Sequence, residues 1–206
     1  MSYDIELINK ETKEVAKMEH PQYIRGGTVP AKMNMETCRL EHDIQVEARI
    51  NITYNYSRYY YEATEGDERF AHDEVSAYYA DGTTGPIETQ YGIRGLYGKT
   101  PSESIPMLMS MIINIENKYK NEKGEWIETE RKKVAYFKNG VELKEPIQAI
   151  LHGEYLERKE EKYIVSEGDT SDYWQATAAN AIKPLLDMLV MATDNLLEKD
   201  VIWSGD

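Results

Sequence analysis

The run Gly92-Ile93-Arg94-Gly95-Leu96-Tyr97-Gly98-Lys99-Thr100 places glycine bends, two cations and a hydroxyl directly before the helix-starting Pro101. Free amides at a helix N-terminus, with cations beside them, can hold a phosphate or another anion. Arg94, Lys99 and Thr100 are therefore candidate ligands for one. A nucleoside triphosphatase loop is excluded, because that motif needs Gly-x-x-x-x-Gly-Lys-Thr and its first glycine position is Ile93 here. Arg25-Gly26-Gly27-Thr28 is a second amide-rich loop carrying a cation. Arg49, Asn51 and Asn55, on the polar face of an alternating run, are the further side chains that a phosphate-bearing small molecule could use.

A different chemistry is offered by tyrosine and acid. The chain has 16 Tyr against 2 Phe, and Tyr buries area while keeping a polar tip, which suits binding surfaces. Tyr59, Tyr60 and Tyr61 stand in a row that cannot point wholly inward. The acidic excursion of Glu65, Asp67, Glu68, Asp73 and Glu74 follows them. These eight residues are the candidate protein-binding set. Metal and nucleophile chemistry find little support: His20, His42, His72 and His152 are scattered without ligand spacing, and Cys38 is the only cysteine. No metal, no catalytic residue and no cofactor is assigned.

Composition narrows the partners. Thirty-seven Asp+Glu against 24 Lys+Arg give a net charge of -13 over 206 residues. Proteins that bind a phosphate backbone need clustered Lys/Arg to displace counterions, so direct nucleic-acid binding is not expected. Such a charge steers the chain towards basic proteins instead. The N-terminus lacks the basic and apolar regions of a signal peptide. The longest apolar stretch, Ala181 to Ala192, is broken by Lys183, Pro184 and Asp187. The expectation is a cytoplasmic protein with no membrane segment, and self-association is compatible with the sequence.

The elements that must position these residues read as α+β. Tyr3, Ile5 and Leu7 alternate with polar residues, then Asn9 to Thr12 turn the chain. Ile44 to Tyr56 alternate without a break and predict one long strand. Thr100, Pro101 and Glu103 form a capping-box signature for a helix over about 101–117, with Ile105, Leu108, Met109, Ile112 and Ile115 as its stripe. Because of Pro106, its regular part is expected to begin later. A second main helix spans about 177–195, with Ala181, Ile182, Leu185, Leu186, Leu189 and Val190 facing inward. Between them, 118–169 reads as an inserted segment built on a hairpin, since Asn139-Gly140 separates two apolar runs. The whole is expected to be a single domain, an antiparallel sheet packed by the two helices.

A set of separated blocks adds a resemblance. Tyr3-Asp4-Ile5, Arg25-Gly26-Gly27-Thr28, Asn51-Ile52-Thr53-Tyr54-Asn55-Tyr56-Ser57, Gly92-Ile93-Arg94, Tyr97-Gly98-Lys99-Thr100 and Glu103-Ser104-Ile105-Pro106 belong to it. Tyr173-Trp174-Gln175-Ala176-Thr177, Asn180-Ala181 and Trp203-Ser204-Gly205-Asp206 complete it. Together they are similar to a group of small proteins of phages, prophages and bacterial chromosomes. Against that group, Met33 to Arg49 lengthens one joint and 118–169 is added. The resemblance carries no activity and implies a role in conflict between virus and host.

The sequence therefore points to a non-enzymatic, phage-type inhibitor of a bacterial defence system, which occludes a basic defence protein as a nucleic-acid mimic does. The alternative within that class is sequestration of a phosphate-bearing nucleotide signal. Outside it stand a metal-dependent phosphodiesterase or nuclease built on scattered carboxylates, and an immunity or virion accessory protein.

Overall fold

The computed structural model describes residues 2–22, 31–34, 39–42, 45–80, 82–143 and 147–206. The Arg25–Thr28 loop and Cys38 lie outside them. Strand β1 (Ser2–Asn9) buries Ile5 and Leu7. Asn9 closes the turn after it by accepting the Glu11 and Thr12 amides on its side chain. Next come β2 (Lys17–Gln22), the small pair β3 (Ala31–Asn34) and β4 (Arg39–His42), then β5 (Gln45–Glu47) and β6 (Arg49–Thr53).

The long alternating run is thus two strands and not one. Ala48 is the break: its N–H donates to Ala16 and its carbonyl accepts from Leu7. On one side of it β5 pairs with β2, and on the other β6 pairs with β1. Nor does the strand continue to Tyr56. The Thr53 hydroxyl accepts the Asn55 amide and starts a tight 3-10 turn over Tyr54–Tyr56, which runs into α1 (Ser57–Thr64). Alternation alone could not register a side-chain cap that ends the strand.

The chain then forms the hairpin β7 (His72–Val75) and β8 (Ile87–Gln90) and a 3-10 turn at Ile93–Leu96. Gly95 in that turn lies against Phe70, whose backbone a Cβ would strike. Helix α2 (Pro101–Tyr119) starts with the full capping box of Thr100 and Glu103. Pro106 does not delay it, because the box has already fixed the first turn and proline removes a single amide. The buried stripe is rotated from expectation: Leu108 and Ile115 are inside, joined by Met107, Met111 and Tyr119, whereas Met109 faces solvent.

Residues 128–166 build a second sheet in the order β10-β9-β11, from β9 (Glu128–Lys138), β10 (Val141–Glu142) and β11 (Glu157–Ser166), with the short α3 (Ile147–Leu151) between the last two. Asn139 and Gly140 turn at φ 52° and 79°, the positive values that a two-residue hairpin of this kind requires. Helix α4 (Ala178–Asp194) is capped by Thr177, and β12 (Val201–Gly205) closes the chain against β1. Leu186 is half-exposed, and Met188 and Met191 take the inward positions.

The central antiparallel sheet runs β12-β1-β6. Its apolar residues Ile5, Leu7, Ile50, Ile52 and Trp203 share one core with α1, α2 and α4. The class is α+β, with helices and antiparallel sheets.

The β9–β11 sheet is fastened to these helices by one buried carboxylate. Glu167 accepts hydrogen bonds from Tyr59 (2.7 Å), Thr129 (2.6 Å), Arg131 (2.7 Å) and the first amide of α4, Ala178 (2.9 Å). Arg58 lies 3.5 Å away. Burial opposes the charge on Glu167, but the bonds from Thr129, Tyr59 and Arg131 outweigh it and hold the carboxyl below its ordinary pKa. Burial, together with the bond to Glu167, pushes the Tyr59 hydroxyl up to about 12. Removing one partner of a buried pair strands the other, so Glu167→Gln is expected to destabilise by about 3 kcal/mol in urea unfolding at pH 7. A group with a lowered folded pKa stabilises above its unfolded pKa and loses that contribution as pH falls through the folded value. The gap between wild type and Glu167→Gln should therefore close below about pH 4; a gap that widens there would contradict the assignment.

Candidate functional site

Arg49, Asn51, Asn55, Arg94 and Thr100 are engaged within the chain. Glu103 reaches back to the Thr100 amide and hydroxyl, both at 2.8 Å, so the start of α2 already holds a carboxylate. The Lys99 backbone pairs with Trp203 of β12. Asn51 donates to Ser2 and Asp4, Asn55 donates to the Trp174 carbonyl at 2.8 Å, and Arg49 pairs with Glu47 at 3.2 Å. Arg25, Gly26, Gly27 and Thr28 lie outside the described residues.

Arg94 sits where the two chemistries meet. Its guanidinium forms an ion pair with Glu74, approaches the Tyr54 hydroxyl at 3.3 Å and lies 5.4 Å from the centre of the Tyr3 ring. Burial works against the Arg94 charge, but the Glu74 carboxylate outweighs it and raises the pKa. Beside Arg94 is a cavity of about 200 Å³ lined by Tyr3, Tyr60, Tyr61, His72, Glu74, Gln90 and Tyr91 among others. His72 is oriented through its Nδ1, which donates to the Phe70 carbonyl at 3.2 Å, leaving Nε2 3.6 Å from Glu74. This pocket presents tyrosine rings and a cation whose charge is matched by its own carboxylate.

The row of tyrosines divides by burial. Tyr59 and Tyr60 are fully buried, Tyr59 on Glu167 and Tyr60 on the Ala181 carbonyl at 3.0 Å. Both therefore belong to the core and not to a surface. Helical geometry explains the difference: adjacent residues in α1 are turned by about 100°, so two of three can face the core. Tyr61 alone faces solvent, meets Tyr91 edge to face and donates to Glu65 at 3.0 Å.

The acids that follow are surface groups with differing freedom. Asp67 caps its 3-10 turn and holds Arg69, Glu74 holds Arg94, Asp73 accepts from Thr89 at 3.4 Å, and Glu68 is exposed. The same habit extends over the molecule. Lys118 pairs with Glu62 and Lys120 with Glu116. On the β9–β11 sheet Lys132, Lys133, Lys138, Lys159 and Lys162 each meet a glutamate. These arginines and lysines are paired within the chain, and the sequence holds 13 more acids than bases.

Two features were not singled out by sequence. Glu167 carries no local mark, because its partners come from three separate stretches. The β7–β8 hairpin, with Tyr78 and Tyr79, was not read as an element, and only its Asp73 and Glu74 were marked, as part of the acidic excursion. Among the described residues no three His, Cys, Asp or Glu side chains are grouped to hold a metal ion. No described helix is long and apolar enough to cross a membrane. No family model, curated protein or solved structure matches the chain.

Because Arg94 and Glu74 are only part-buried, their pair is worth little more than an ordinary surface bridge. Arg94→Ala is expected to cost about 1 kcal/mol in urea unfolding, and Arg94→Ala/Glu74→Ala no more than the single change. A double variant markedly less stable than Arg94→Ala would show the two residues acting independently.

Proposed function

We propose that this chain is a non-enzymatic binding protein of phage type that inhibits a bacterial defence protein by docking its acidic surface on a basic, nucleic-acid-binding face. One observation carries the reading. Arg49, Arg58, Arg69, Arg94 and Arg131, with the lysines of the β9–β11 sheet and of the end of α2, are tied to carboxylates of the same chain, and the sequence carries a net charge of -13 beyond those pairs. An array of carboxylates on a folded frame offers a basic groove what a phosphate backbone offers it, without the counterion atmosphere of real nucleic acid. Sequestration of a phosphate-bearing signal is less well supported. Arg49, Asn51, Asn55, Arg94 and Thr100 face other partners, and a self-neutralised arginine attracts phosphate weakly.

The test uses purified bacterial defence nucleases as probes and measures their affinity for the intact chain at 50 mM and 300 mM salt, with and without DNA. A bound nuclease is expected to lose at least about 10-fold in affinity over that range and to be displaced by DNA. Absence of any complex, or affinity indifferent to both salt and DNA, would refute the reading.

A further inference from the structure

The β7–β8 hairpin stands apart in chemistry from the rest of the surface. Its strands pair with each other alone in a two-stranded sheet. Between Arg69 and Arg94 there is no Lys or Arg, whereas Asp73, Glu74 and Glu88 line the stem. Towards the tip, Tyr78 is 79% and Tyr79 55% exposed, and Ile87 on the returning strand is 70% exposed. Rings this bare usually belong to loose loops, but here the backbone is laddered to the end. Ser76 donates to Pro86 at 2.9 Å, Gly85 to Ala77 at 2.8 Å and Tyr79 to Thr83 at 2.9 Å, and Tyr78 faces Thr84 across the turn. The tyrosines are thus held outward on an ordered frame, and the ordering cost of a contact there is already met.

Grooves that bind single-stranded nucleic acid combine a basic track for the backbone with platforms on which flat bases stack. The hairpin carries the complement of both: carboxylates along the stem, two exposed phenol rings at the end. From this we infer that the β7–β8 hairpin is the element that enters the partner. Its occupant is a protein groove built for single-stranded nucleic acid, with Tyr78 and Tyr79 in the place of bases and Asp73 and Glu88 in the place of phosphates. The inference rests on the acidic docking reading above and adds to it the inserted element and the kind of groove. Tyrosine suits the role because its area, with few rotatable bonds, concentrates binding energy in a small contact.

The experiment compares wild type, Tyr78→Ala/Tyr79→Ala and Tyr78→Phe/Tyr79→Phe against the same purified defence nucleases, chosen to include ones with single-strand grooves. Both tyrosines are exposed, so all three proteins should share one urea midpoint. The expected result is that a nuclease bound by wild type loses at least about 10-fold in affinity with the alanine pair, while the phenylalanine pair stays within about twofold. If wild type binds and the alanine pair binds equally, the hairpin is not the inserted element, although acidic docking stands. A phenylalanine pair as weak as the alanine pair overturns ring stacking. If no nuclease binds, both inferences fall together. Should sedimentation instead reveal a wild-type dimer that the alanine pair lacks, the hairpin is a contact between copies and the inference is overturned.

Discussion

A single carboxylate with no water around it governs how this molecule is held together. Glu167 is fully buried, yet it carries a charge, and its bonds run to three different parts of the chain. Tyr59 brings α1, Thr129 and Arg131 bring β9, and Ala178 brings the start of α4. Its own backbone is also engaged, donating to Ile127 and accepting from Ala179. A buried ion is stabilising only when every lone pair is met, and here the geometry meets them from three elements at once. Those bonds tie the β9–β11 sheet to α1 and to the start of α4.

The same preference for internal pairing shapes the exterior. A chain with 13 more acids than bases could scatter its cations as isolated positive points. It sets many of them in pairs, on the ribbon of β9 and β11 above all, where Lys132 meets Glu160 and Lys162 meets Glu130 across the strands. Each such pair is weak alone in water. Their collective effect is on the field, because a paired cation no longer softens the surplus acid around it.

How much of this was legible in the residues depends on the range of the interaction that decides. The start of α2 was readable to the residue, since Thr100, Pro101 and Glu103 settle it among themselves. Asn139-Gly140 was readable for the same reason. The run from Ile44 to Tyr56 was misleading because its division at Ala48 depends on Ala16 and Leu7, more than thirty positions earlier. Tyr59 and Tyr60 looked like surface until the pitch of α1 and the distant Glu167 placed them inside. The stripe of α2 slipped by part of a turn, since period alone fixes spacing and not which rotation meets α4. Of the candidate site, the charges were legible and their pairing was not: nothing near Arg94 in sequence names Glu74 as its partner.

The central sheet has a consequence in time. Its middle strand, β1, is made first, and the neighbour that completes it, β12, lies about two hundred residues later, with Leu7 opposite Trp203. At ribosomal rates of about 5–20 residues per second, one edge of β1 waits roughly 10–40 seconds for its partner. Closing so wide a loop is slow by its topology. Through that interval Ile5 and Leu7 have a half-built core, and an unpaired strand edge is open to any other chain nearby. Alternating acids, Asp4 and Glu6, sit on that same strand, and like charges brought face to face oppose the pairing of two such edges.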